Sequence, residues 1–227
     1  MQLILVRHAL PRRSEPGQGA DPDLSEVGLE QARRLPAALE RFPIARVISS
    51  PQRRAVQTAE PVADALGLPV HIDERFAEYD RGLAHYVPIE EVARENPEQL
   101  ERLLNGELPG AVDPDEFQDR VAAALDEVVA TSAHTDTVAV FSHGGVINAI
   151  LHRIARTERL ITFHIDYASV TRVLASRSGR LSIGGINTVE HVWDLLPRNR
   201  DGRLQGTAAV SDNKEVIDNG RDLPRRT

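Results

Sequence analysis

Two histidines in this sequence directly follow apolar runs of strand type, and their neighbours define the chemistry on offer. Residues 3–6 (LILV) lead into Arg7 and His8, and residues 137–141 (TVAVF) lead into Ser142, His143, Gly144 and Gly145. A third run, at residues 45–48 (ARVI), ends in Ser49, Ser50 and Pro51, with Arg53 and Arg54 close behind. Guanidinium forks match the oxygens of a phosphate, and their charge keeps a neighbouring imidazole neutral and nucleophilic. A neutral imidazole can attack phosphorus in line, giving a phosphohistidine that water then hydrolyses. The departing alkoxide needs a proton, and a carboxylic acid beside a phosphate dianion stays protonated near neutral pH. Local pattern leaves Arg53 and Arg54 equivalent, and Glu74, Glu78 and Asp80 are all near enough in sequence to supply the acid.

These groups meet only if the strands that carry them lie side by side. Apolar runs alternate with helical patterns along the chain, which predicts βαβ units and a mostly parallel sheet. Ligands bind at the carboxyl ends of such strands, where loops and helix N-termini converge. Helices are expected at residues 27–41, with Pro36 bending or breaking the pattern, and at 51–66, with Ser50 as N-cap, Pro51 at the first helical position and Gly67 closing the end. A short strand follows at 70–72. Helical patterns at 89–104 and 115–131 are expected to form a small inserted cap, and a helix runs from the Gly-Gly pair through Ile154. Residues 169–175 and 180–192 read as a closing pair of strands. The stretch from about Arg198 is polar and aperiodic, which predicts loose order.

The 227 residues are 41% hydrophobic and 27% charged, which fits a packed globular chain. Cysteine is absent, excluding disulfides, thiolate nucleophiles and cysteine-bound zinc. No apolar run approaches a membrane span, and residues 3–6 are too short for a signal peptide, so a cytoplasmic protein without membrane contact is expected. A formal charge of -7 argues against a nucleic-acid partner. Lys214 is the sole lysine, so nearly all positive charge is arginine. Two histidines with a carboxylate could ligate a metal, but no H-E-x-x-H spacing occurs and Arg7 beside His8 would oppose a cation. No metal and no cofactor is expected, and the dinucleotide fingerprint G-x-G-x-x-G is missing.

Five segments in order resemble the signatures of the histidine phosphatase superfamily, which includes phosphoglycerate mutase. They are LVRHA, LSEVGLEQARRL, VISSPQRRAVQTAE, RFAEYDRG and VFSHGGVI, and the likeness spans most of residues 3–192. The resemblance implies a phosphoglycerate mutase-like three-layer α/β/α sandwich. It implies His8 as the phosphorylated nucleophile, Arg7, Arg54 and His143 as phosphate-binding and transition-state-stabilising groups, and Glu78 as proton donor. It selects Arg54 over Arg53, and the backbone amide of Gly144 is expected to add a contact to the phosphoryl group. Ala9 departs from the pattern where glycine is usual, and LAHYV replaces the W-E-G triplet after Gly82. Arg12 and Arg13 replace a polar stretch.

The combined expectation is a catalytic domain over residues 1–195 and a polar tail over 196–227. The domain is expected to be a phosphomonoesterase acting on a small phosphorylated metabolite. A mutase that returns the phosphoryl group to substrate, and an inert phospho-ligand-binding module, are the alternatives. Assembly is open, with a homodimer as one option.

Overall fold

The computed structural model describes residues 1–13, 19–83, 86, 92, 96–109 and 112–200, the last by its backbone alone. The elements are β1 (Gln2–Arg7), α1 (Glu26–Leu39), β2 (Ile44–Ser49), α2 (Arg53–Leu66), β3 (Val70–Ile72), α3 (Pro97–Leu104), α4 (Pro114–Ala130), β4 (Thr137–Ser142), α5 (Gly144–Ala155), β5 (Val170–Ala175) and β6 (Leu181–Thr188). The strands form one six-stranded sheet in the order β3-β2-β4-β1-β5-β6. Pairings β3-β2, β2-β4 and β4-β1 are parallel, whereas β1-β5 and β5-β6 are antiparallel.

Alternation along β1 explains the layers, because successive side chains of a strand point to opposite faces. Leu3 and Leu5 join a core with Val138, Val140, Phe117, Val121 and Ile147, so α4 and α5 cover that face. Ile4 and Val6 join the other core with Ala139, Phe141, Leu35, Leu39 and Val62, which places α1 and α2 opposite. The result is the expected three-layer sandwich. Helix α4 is therefore a sandwich layer and not part of a cap, as its pattern had been read. Of the expected cap, α3 is the helix among the described residues that lines the cleft; residues 89–91 and 93–95 of that pattern lie outside the described residues, as does the tail beyond residue 200.

Other boundaries moved for identifiable reasons. Helix α1 continues through Pro36. Helix α2 starts at Arg53 with Gln52 as N-cap; the Gln52 side chain makes no capping bond, because it is engaged with Asp80 and the Glu78 amide. Its other end is as expected, with Gly67 in the left-handed conformation at φ 63°. The last strand stops at Thr188, and residues expected to extend it form a 3-10 turn, Glu190–Leu195, that places Val192 in the second core. Among the described residues no helix is long and apolar enough to cross a membrane.

Phe117 is 2% exposed and ties α4 to the sheet. Phe117→Ala should destabilise the fold by about 3–5 kcal/mol in urea-unfolding experiments; a loss below about 1 kcal/mol would show that α4 is not a core layer.

Candidate active site

Sheet register brings the sequence-predicted groups together. Arg7 lies opposite Ser142 on β1 and β4, and the His8 amide donates to the Ser142 carbonyl at 2.8 Å. On the far side of β4, the Ser50 amide donates to the Phe141 carbonyl at 2.9 Å. Ser50, His143 and His8 therefore occupy adjacent strand ends. The imidazole centroids of His8 and His143 are 5.1 Å apart.

The tautomer of His8 follows from its surroundings. Its Nδ1 lies 2.8 Å from the Ala9 carbonyl, which can only accept, so Nδ1 carries the proton and Nε2 keeps its lone pair. Arg54 Nε donates toward that Nε2 at 3.3 Å. Burial first, then the charges of Arg54 and Arg7, hold the His8 pKa well below the usual imidazole value. The ring is consequently neutral at physiological pH. Ala9, where glycine is usual, fits without penalty: its Cβ joins the second core and its amide donates to Thr58 Oγ1 at 2.9 Å.

His143 is similarly constrained. Its Nε2 lies 2.7 Å from Ser50 Oγ, and that oxygen accepts the Gln52 amide at 3.3 Å. Ser50 can give its own proton to Nε2, and in that tautomer Nδ1 is an N–H donor. That Nδ1 is buried without a hydrogen-bond partner. An unmet buried donor costs about 1–3 kcal/mol, which a phosphoryl oxygen would recover. Burial, followed by Arg54 and His8, lowers the pKa of this ring as well.

Arg7 donates from Nη1 to the Ile165 carbonyl at 2.5 Å and stacks over Tyr167, with Cζ 3.8 Å from the ring centroid. Arg54 is fully buried in the first turn of α2, a position unfavourable for a cation unless an anion neutralises it. Asp80 supplies the anion, its oxygens accepting from Arg54 Nη2 at 2.9 and 2.7 Å, and the Ala20 carbonyl takes Nη1 at 2.7 Å. Arg53, its neighbour, points outward and pairs with Asp23 at 2.6 Å. The structure thus separates two arginines that local pattern could not.

The three carboxylates separate as clearly. Glu74 is exposed and pairs with Arg81. Glu78 is 7% exposed; its Oε2 accepts the Gly145 amide at 2.8 Å and its Oε1 accepts the Tyr79 amide at 3.1 Å. Burial first, then repulsion from Asp80, pushes the Glu78 pKa up to about 7 despite those bonds. Gly145 allows this approach, since a Cβ there would lie 2.7 Å from Tyr79 Cε1 and collide with Glu78. Gly144 opens α5 with His143 as N-cap and lines the cleft.

Four contributors escaped sequence reasoning. Gln52 donates to Asp80 Oδ1 at 2.8 Å while its Oε1 accepts the Glu78 amide at 2.7 Å, tying the acid-bearing loop to the start of α2. Asp80 was weighed only as a rival acid, yet it is the counter-ion of Arg54. Tyr86 places its ring under Arg54, 4.7 Å from Cζ, and lies edge-on to His8 at 6.4 Å. Tyr167 stands 5.6 Å from His8 by ring centroids. Tyr86 belongs to the LAHYV stretch that breaks the expected pattern, and that departure was the available signal. Asp80 and Tyr86 line a cleft of about 1330 Å³ together with Arg7, His8, Glu78 and Gly144.

Comparison with known proteins places this geometry. The histidine phosphatase superfamily (branch 1) matches residues 3–187, so the chain belongs to that superfamily. Phosphoserine phosphatase 1 of Hydrogenobacter thermophilus is 36% identical over 151 residues, covering 63% of this chain and 71% of that protein. Among solved structures, a mycobacterial glucosyl-3-phosphoglycerate phosphatase complexed with VO3 superposes with a TM-score of 0.67 at 22% identity, covering 82% of this chain and 99% of that one. An Entamoeba histolytica phosphoserine phosphatase mutant in complex with phosphoserine gives 0.65 at 21% identity, covering 84% and 98%. At these identities the two structures establish the shared fold.

Because Asp80 raises the Glu78 pKa, Asp80→Asn should lower the Glu78 titration midpoint from about 7. Carboxyl ¹³C NMR checks this, and an unchanged or higher midpoint would show that burial alone is responsible.

Proposed function

We propose that this superfamily member hydrolyses phosphate monoesters through a phosphohistidine at Nε2 of His8. The observation that carries the reading is the pairing of opposite protonation states across one cleft: a buried imidazole kept neutral with Nε2 unprotonated, and a buried carboxyl, Glu78, that retains its proton up to about pH 7.

In the first step the Nε2 lone pair forms the N–P bond as the ester P–O bond breaks. The electrons go to the leaving oxygen, which takes the Glu78 proton. Arg7, Arg54, the His143 Nδ1–H and the Gly144 amide receive the charge spread over the equatorial oxygens. In the second step water attacks phosphorus and gives a proton to the Glu78 carboxylate. The N–P bond then breaks, returning the lone pair to Nε2 and releasing phosphate. Arg54 relinquishes its 3.3 Å contact with Nε2 when phosphate arrives, while Asp80 keeps its guanidinium in place. No step calls for a cofactor.

The same reading takes residues 1–195 as one catalytic domain and the rest as a polar tail. The second core includes Leu196, and Arg198 pairs with Asp166, so the packed part runs a few residues past that boundary. A cytoplasmic enzyme acting on small phosphorylated molecules, without a nucleic-acid partner, fits the cysteine-free, acidic composition.

His8→Ala should abolish both phosphate release from an aryl phosphate and acid-labile phosphoryl labelling; wild-type-like turnover would overturn the assignment. Movement of label between substrate hydroxyls with little net phosphate would point to a mutase, and neither reaction to an inert binding module. Glu78→Gln should slow alkyl esters more than aryl esters, since a good leaving group needs less protonation. For alkyl esters, kcat/KM should fall as pH rises through about 7, where free Glu78 loses its proton. A pH profile with no alkaline fall, or equal slowing of both ester types, would remove Glu78 from the role of acid.

A further inference from the structure

Beyond the phosphoryl site the cleft changes character, and its walls bear on the substrate's alcohol portion. Leu100 and Leu104, which line the cleft, lie on a single face of α3, spaced four residues apart so that they stack along the helix. Ile161 and Phe163 contribute to the same lining. Leu83, from the segment following the Glu78 loop, adds a further apolar lining residue. The wall at 161–163 is held in place: Asn148 Oδ1 accepts the amides of Thr162 and Phe163 at 3.1 and 2.8 Å, and its Nδ2 donates to the Phe163 carbonyl at 3.0 Å. Asn148 is itself 3% exposed.

The charged lining points the same way. Apart from Arg7, the cationic groups among the described lining residues are Arg102 and His164. Arg102 is already paired with Glu107 at 2.7 Å, and His164 Nε2 lies 3.0 Å from Asp166, which also pairs with Arg198. Glu98 adds negative charge to the same lining, whereas Glu107 and Asp80 are neutralised by Arg102 and Arg54. Arg12 and Arg13, the other arginines near the first motif, are exposed and do not line the cleft. Among the described lining residues a carboxylate next to the ester phosphate would therefore meet apolar, neutral polar or acidic side chains, and the cations other than Arg7 are already ion-paired.

Taking the phosphomonoesterase reading as its basis, we infer that the preferred substrates are monoesters of uncharged, apolar alcohols, accommodated between the α3 face and the 161–163 wall, and not phosphorylated hydroxy or amino acids. The cleft, at about 1330 Å³, exceeds the roughly 300–1,000 Å³ typical of small-molecule sites, so an extended alkyl or polycyclic group has room.

The n-alkyl phosphates from ethyl to octyl test this, because their leaving alcohols are nearly equal in acidity and differ only in apolar length. Below the micelle threshold, kcat/KM should rise about two- to fourfold per added methylene until the cleft is filled. Octyl phosphate should exceed phosphoserine and 3-phosphoglycerate by at least about tenfold. Leu104→Lys, with Ile161→Lys as the alternative should the first fail to fold, should reduce the octyl-to-phosphoserine ratio by about tenfold or more. A flat alkyl series, or phosphoserine or 3-phosphoglycerate as the better substrate with phosphohistidine still formed, would overturn this inference and leave the phosphomonoesterase reading intact. Absence of phosphate release from every ester, aryl phosphate included, would overturn both.

Discussion

A guanidinium removed from water requires an anion, and much of the site's arrangement follows from meeting that requirement at Arg54. Its side chain is wholly buried in the first turn of α2, where the helix dipole adds to the cost. Asp80 neutralises it through two short bonds, and Gln52 holds Asp80 from the start of the same helix. Once fixed, Asp80 raises the pKa of Glu78 two residues earlier, and Arg54 depresses that of His8. Burial is the larger cause in both groups, and Asp80 adds to it at Glu78 as Arg54 does at His8, so an acid and a base both favour their neutral forms. Those are the forms that proton donation and nucleophilic attack require.

The sheet supplies what the ion pair cannot. Parallel pairing of β2, β4 and β1 sets three strand ends in a row, and the alternation of their side chains leaves both faces to apolar packing. Polar groups consequently collect only at the carboxyl edge. Gly145 lets Glu78 and Tyr79 come against the start of α5 from another part of the chain. The polar site is carried by the residues at the carboxyl ends of β1, β2 and β4, by the first turns of α2 and α5 and by the loop bearing Glu78 and Asp80, while the apolar side of the cleft is built from α3 and loops. This division lets the phosphoryl chemistry be shared across a superfamily while the alcohol it releases differs among members.

Most of the polar site was legible because its residues sit at strand ends, where hydrophobic pattern gives way to charge. Arg7, His8 and His143 are of that kind. Arg54 and Glu78 needed the ordered motifs, since a local window cannot tell an inward arginine from its outward neighbour Arg53, or Glu78 from Glu74. The sandwich followed from strand and helix periods, and its first strands and helices lie within a few residues of expectation. What periodicity could not convey was partnership over distance. Asp80 and Gln52 act through residues 26 and 28 positions away. Helix α4 has the same amphipathic pattern whether it caps a cleft or covers a sheet, and the contacts of Phe117 and Val121 decide the matter. The Ser50 cap differs for a related reason: the helix begins later, at Arg53, and the Ser50 hydroxyl bonds His143 while accepting only the amide of the N-cap Gln52.

The placement of β1 has a consequence for how the site comes into being. This strand carries Arg7 and His8 and lies between β4 and β5, so that Gln2 pairs with both Thr137 and Leu174. Each pairing closes a very long loop, and such non-local contacts slow folding because chain entropy is lost before the contacts repay it. During synthesis this strand emerges well before either neighbour exists. It must remain unpaired, with four consecutive apolar residues exposed, until most of the domain has been made. The environment of His8 is therefore a property of the finished sheet, and an incomplete chain carries the histidine without the neighbours that hold its ring neutral.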